Sequence, residues 1–314
     1  MRRKLVGSFL LVGCVPAVLL AIVSLVVAMN SLMIQTYKQL SGLRENKQQQ
    51  LGTYFAEQQS DLDLLGKTVE SFQKAAEVKL AAIRDAKAVT LIDYLSFSRA
   101  QLLDFAQRPQ LIDAMANMPV YLQNYRYDRE VSADQLEPIR EELQLFWKEE
   151  FGQRYREVTG ENELDIEEKF SLLSEWSIVA QQAYLSSNPN SLGSEIELLK
   201  PESELLFEPP YDLMHADIHP MVRNFAEVFG YQDVYLVDSE NGDIAYSMRK
   251  RIDFGTSLME GPFAESHLGK IFSQANSAEA LGEFFIADFE PYEPGFEKPT
   301  AFMATPIFEE NRKL

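Results

Sequence analysis

One cysteine, three histidines and two tryptophans are all that 314 residues carry of those types. The cysteine, Cys14, lies in an apolar run, which excludes an intramolecular disulfide, a CxxC redox pair and a cysteine-caged zinc. Positive charge is also scarce, with 29 Lys and Arg against 48 Asp and Glu and a formal net charge of −19. Neutralising phosphate needs clustered cations, so nucleic acid is not an expected partner. No GxSxG elbow and no phosphate-cradling glycine loop occur, and the histidines fit no triad order. No catalytic residue, metal or cofactor is therefore assigned, and these residues are not read as an enzyme. A hydrophobic share of 46% is enough to build a core, whose stability must come from packing.

The longest absence is of charge itself. Residues 5–34 contain none, and at ~1.5 Å per helical residue they reach ~45 Å, more than the hydrocarbon core of a bilayer. This predicts a transmembrane helix with residues 1–4 as a short cytoplasmic N-terminus, because Arg2, Arg3 and Lys4 precede the run. Everything after residue 34 is then extracytoplasmic. The run is about twice the ~7–15 residues of a cleaved signal peptide. Leu11-Val12-Gly13-Cys14 has the look of a lipobox, but the apolar stretch continues from Val15 to Met29 where a lipoprotein would start a polar tether. Cys14 reads better as a small membrane-buried residue, and Pro16 as a tolerated kink.

Beyond the membrane, residues 35–118 read as a long helical stalk, with apolar positions at Leu62, Leu65, Val69, Phe72, Ala76 and Ile83 mostly three or four apart. Lys47, Leu51, Tyr54, Phe55, Leu62 and Leu65 align with Lys87, Leu91, Tyr94, Leu95, Leu102 and Phe105, forty residues further on. Forty residues make about 11 helical turns, so both copies should present the same face. Arg108-Pro109 interrupts the pattern, and Met118-Pro119 opens a region of shorter helices, 119–229, with pieces at 133–151, 166–185 and 211–229. The turn-forming stretches 186–193 and 207–210 connect them. After Gly230 the period becomes that of strands, 234–237 and 244–248 around Asn241-Gly242, a strong hairpin signal. A helix over 262–275, a strand over 283–289, a Pro/Tyr-rich loop over 290–299 and a strand over 300–308 complete an α+β antiparallel module, 230–314, of PAS-like form. The turn Glu309-Glu310-Asn311-Arg312-Lys313 leaves a strand about to begin, the expectation for an N-terminal fragment of a longer receptor.

Several motifs carry a resemblance: Tyr184-Leu185-Ser186-Ser187-Asn188-Pro189, His215 and His219-Pro220 with Arg223, and Phe229 to Asp238. Gly242 to Ser247, Asp253 to Leu258, Gly261-Pro262-Phe263, Asp288 to Pro294 and Ala301-Phe302 continue it. Over about 184–308 the chain resembles the double Cache sensor region of bacterial transmembrane receptors, as found on methyl-accepting chemotaxis proteins and some receptor-type nucleotide cyclases. Ala216-Asp217-Ile218 replaces the basic and aromatic residues usual in that family before the second histidine, and Gln232 stands where a second tyrosine is common. No ligand class is carried over. The resemblance implies a small extracellular solute, a homodimer through the stalk helix, and cytoplasmic signalling partners reached through a further C-terminal part. It implies a chemotaxis receptor first, a receptor-type cyclase or sensor kinase second. A membrane-anchored adhesion stalk is the alternative from a different class.

PAS-like modules take ligands between sheet and covering helices. The candidates are Arg223 on the last long helix, Tyr235 and Tyr246 on the hairpin, Asp253 after it, and Asp288 and Tyr292 at the next strand's end. Arg223 with an acid would suit a zwitterionic or carboxylate ligand. His215 and His219 share a helix face at a spacing zinc sites use, but Ala216 stands where a zincin needs Glu, and packing is the favoured role. Topology is directly testable: a protease added to intact spheroplasts should cut beyond residue 34, and full protection of residues 231–314 until lysis would overturn the outward orientation.

Overall fold

The computed structural model describes residues 2–160, 164–310 and 312–314, and no side chain before residue 6. Met1 of the expected cytoplasmic segment and Asn311 of the final turn lie outside the described residues. The chain is mixed helix and sheet, 66% helical, and divides into two compact units, 1–91 and 92–314.

Helix α1 (Arg2–Ala106) is unbroken through Pro16 and supplies the whole of the first unit. Its N-terminal part is long and apolar enough to cross a membrane. Between residues 6 and 91 the large apolar side chains are exposed, Phe9 at 80% and Phe72 at 71% among them. The two copies of the forty-residue repeat differ in burial. Tyr54 and Tyr94 are both exposed, whereas Leu65 is open and its counterpart Phe105 is buried, stacked on Phe225 at 3.8 Å between ring centres.

In the second unit the chain breaks at Arg108, whose extended backbone leads into α2 (Pro109–Gln123) with proline in its first turn. Pro119 does not open a new region. It lies inside α2, buried beside Met118 and Leu122, where packing offsets the lost backbone bond. Next come α3 (Tyr125–Asp128) and α4 (Ala133–Leu145), the latter entered through a capping box of Ser132 and Gln135. A π-helical segment (Phe146–Phe151) and α5 (Gly152–Thr159) follow, the helix ending on left-handed Gly160. The single helix expected over 166–185 is two, α6 (Ile166–Ser171) and α7 (Glu175–Gln181), because Ser174 caps a fresh start by accepting from the Ser177 amide at 3.2 Å. Helix α7 runs into a second π-helical segment (Gln182–Ser186), and α8 (Pro210–Phe229) stops on left-handed Gly230.

Strands β1 (Tyr235–Val237) and β2 (Ile244–Ser247) form the antiparallel hairpin, with a bulge that leaves Ala245 without a cross-strand partner. Its free carbonyl accepts from the buried Tyr211 hydroxyl of α8 at 2.7 Å. The helix expected over 262–275 shortens to α9 (His267–Asn276), capped by Ser266. Strand β3 (Phe285–Tyr292) extends through the proline at 291, and β4 (Lys298–Ala304) pairs with it antiparallel across a bulge after Ala287. Strands β5 (Phe308–Glu309) and β6 (Arg312–Lys313) make a last small hairpin. Among the described residues the strands form three separate two-stranded ladders, where one antiparallel module was expected. A continuous core joins them to the helices, from Leu111 and Trp147 through Tyr184 and Val222 to Ile244 and Phe263.

The hairpin turn is fixed by Gly242, at φ +72, whose added Cβ would meet the Met259 amide nitrogen at 2.9 Å. Replacing it with alanine should cost about 1–2 kcal/mol for the left-handed backbone alone. A lowered thermal midpoint for Gly242→Ala checks this, and an unchanged midpoint contradicts it.

Candidate functional site

Helix α8 presents Tyr211, Asp212, His215 and His219 inward, one turn apart, because its apolar and polar buried positions share a face. Asp212 is 1% exposed, and its Oδ1 accepts from the hydroxyls of Tyr125 and Tyr184, both at 2.8 Å. Arg129 reaches its Oδ2 at 3.4 Å. Burial raises the Asp212 carboxyl above the usual range, while the two hydroxyls and the guanidinium pull it back. Its surroundings open outward into a cleft of about 500 Å³ lined by Lys200, Glu202, Ser203, Glu204 and Glu208.

His215 lies at the ring distance of a stack on His219, 4.8 Å. Its Nδ1 donates to the Leu199 carbonyl, since a carbonyl can only accept, and Nε2 is left with its lone pair. His219 donates through Nε2 to the Ile196 carbonyl at 2.7 Å, so its Nδ1 accepts from the Tyr246 hydroxyl at 2.7 Å. Burial, and then the charge of Lys250, lowers both imidazoles, His219 to about 4. They are neutral packing and hydrogen-bonding groups, and no cluster of metal-ligating side chains occurs among the described residues.

Lys250 is the unexpected member. It is 1% exposed, left-handed at φ +50, and its Nζ donates to the Ser247 carbonyl at 2.6 Å. The rings of Tyr246, Tyr184 and Phe254 surround the ammonium at 4.5, 5.5 and 5.5 Å. Burial lowers it from the ordinary lysine value of 10.5 to about 7, although Asp233 acts the other way. The next turn carries Asp253, fully buried, whose Oδ2 accepts from the Tyr292 hydroxyl at 2.6 Å. Burial, then the Asp233 charge, raises Asp253 to about 6.

The structure thus brings Tyr246, Asp253 and Tyr292 into one buried polar cluster, with Tyr235 at its edge close enough for its phenol to feel the charges of Asp233 and Asp253. It leaves two candidates outside. Arg223 is held on the surface by Glu197 at 2.6 Å and Glu227 at 2.8 Å. Asp288 is exposed at the β3 bulge, where its Oδ1 accepts from the next amide. Lys250, Asp233, Asp212, Tyr184 and Arg251 were not among the ligand candidates taken from sequence, although Tyr184 and Asp233 lie in the motifs quoted there. For Lys250 and Arg251 the signal was the basic triplet Arg249-Lys250-Arg251 between apolar Met248 and Ile252 in an otherwise acidic chain. No family model, curated protein or solved structure matches this chain.

The caged lysine makes stability depend on pH with a definite sign. Between about 7 and 10.5 the unfolded chain holds a proton that the folded chain has released, so stability rises with pH across that window. Thermal melts of the full chain in detergent micelles should show a higher midpoint near pH ~9 than near pH ~7, and Lys250→Met should flatten the rise. A wild-type midpoint that falls over this interval contradicts the assignment.

Proposed function

We propose that the chain is the sensory part of a bacterial transmembrane receptor of double Cache type, which binds a small extracytoplasmic solute and passes the response along α1. One observation carries this reading: a charge-free run long enough to span a bilayer continues, without a break in α1, to a folded unit with a buried polar cluster behind a ligand-sized cleft. A cleft of about 500 Å³ is within the range that small molecules occupy. Its floor, Asp212, is joined through the Tyr184 hydroxyl to a ring that also walls the Lys250 ammonium. A solute that alters Asp212 would therefore be felt at the turn after β2.

The signal requires a solute that favours one arrangement of the long helix over another, and displacements of about 1–2 Å are the usual order for such helices. The open apolar stripe of α1, including Leu62, Leu65, Val69 and Phe72, supports pairing with a second copy as a parallel dimer. The output is a methyl-accepting helical bundle in this reading, reached through a downstream part of the receptor.

A thermal-shift screen of the full chain in micelles against amino acids and organic acids tests the sensory role. A specific solute at about a hundredfold its Kd adds about 2.7 kcal/mol and raises the midpoint, and Lys200→Met or Glu204→Gln at the cleft should weaken that rise. A flat response to the whole panel would speak for a spacer or adhesion stalk.

A further inference from the structure

Residues 200–208 wall most of the cleft, and little holds them in place. They belong to no helix or strand, and among the described residues none of their backbone groups bonds to another backbone group. Their only hydrogen bonds to the rest of the chain are two from Arg129 to the Glu202 carbonyl, at 3.5 and 3.4 Å. Those lengths are at the outer limit for an N–H donor. The other bonds are internal: the Leu205 amide donates to Ser203 Oγ at 3.2 Å, and the Lys200 ammonium spans both carboxylate oxygens of Glu208 at 2.7 and 2.6 Å.

The ends of the segment, by contrast, are fixed. Pro201 and Pro209 are both buried, each with φ held by its own ring, and the Lys200–Glu208 pair closes the neck between them. Between these anchors the span carries Leu206 and Phe207 at 87% and 80% exposure, the most exposed large apolar side chains described in the second unit. A simple connection is served by small and polar residues. Two adjacent large apolar side chains held in water on a weakly bonded span have burial to gain by moving.

We propose that residues 201–208 are a lid over the cleft, which closes on a solute carrying an apolar group and seats Leu206 and Phe207 against that group. This inference rests on the sensory reading above and adds what the cleft selects and which part moves.

Floor and lid then divide the recognition. Asp212, with Arg129 at its Oδ2, offers polar groups to the head of a solute. A solute that is only a head group leaves Leu206 and Phe207 nothing to cover, whereas an apolar group gives them a surface to bury and lets the lid exclude water. Movement of the lid reaches the floor directly, because the same Arg129 Nη1 faces both the Glu202 carbonyl at 3.5 Å and Asp212 Oδ2 at 3.4 Å. Asp212 in turn holds the Tyr184 hydroxyl.

Limited digestion of the full chain in micelles with chymotrypsin tests the lid, because the protease accepts the bonds after Leu206 and Phe207 only when the span is open. Two pairs of solutes matched in head group serve as probes, leucine with glycine and phenylacetate with acetate. The free chain should be cut at these two bonds. At saturation, the apolar member of the pair that binds should slow that cutting about tenfold, since cutting follows the open fraction, and its small partner should leave the rate unchanged. The double variant Leu206→Ser, Phe207→Ser should keep the wild-type thermal midpoint without solute, its sites being exposed, and lose the rise that the apolar solute gives. A free chain resistant at both bonds, or equal protection by both members of a pair, overturns the proposal. An apolar solute that raises the midpoint while cutting continues at the free rate removes the lid and leaves the sensory reading standing. Flat midpoints with unchanged cutting across both pairs remove lid and solute together.

Discussion

A lysine ammonium enclosed by three aromatic rings imposes the tightest constraint on the second unit. Removing such a charge from water costs far more than one hydrogen bond returns, so its surroundings must be built to hold it. Ser247 supplies the single acceptor, and Tyr184, Tyr246 and Phe254 supply ring faces. Those three rings come from the second π-helical segment, from β2 and from the turn after it. The helical and stranded parts of the unit are thereby tied at one point, and the bulge at Ala245 adds a second tie by freeing a carbonyl for Tyr211.

From that point a short series of contacts runs outward in both directions. Tyr184 hands the cluster to Asp212 and the cleft, and Gln181 hands the turn to Trp147, whose indole N–H donates to the Gln181 side-chain carbonyl at 2.9 Å. Gln181 is thus saturated, with its amide nitrogen on two turn carbonyls and its oxygen on the indole. Fully satisfied networks of this kind fix one arrangement strongly. Tyr184 is bonded to Asp212 at the cleft, and its ring faces the Lys250 ammonium of the turn.

Much of this was legible in the sequence where a local rule dominates. A run without charge becomes the apolar part of α1, Arg108-Pro109 breaks the helix, and Asn241-Gly242 turns the hairpin. Rules failed where tertiary packing overrode them. Pro119 sits inside α2 because its neighbours are buried, and Phe105, unlike its repeat partner Leu65, is buried against Phe225. The site was half legible for the same reason. Tyr246, Asp253 and Tyr292 follow from their strand and turn positions, but Lys250 between two arginines reads as a solvated turn, and only the fold closes rings around it. Arg223 looked like a ligand clamp until its two glutamates, one of them on the same helix, were in place.

The most direct measurement is the titration of the Lys250 ammonium itself, by nitrogen-15 lysine spectra of the full chain with Lys250→Met as the assignment control. The structure requires a midpoint of about 7, and a midpoint at the ordinary lysine value of 10.5 would show that the ammonium is solvated and that no such cage exists.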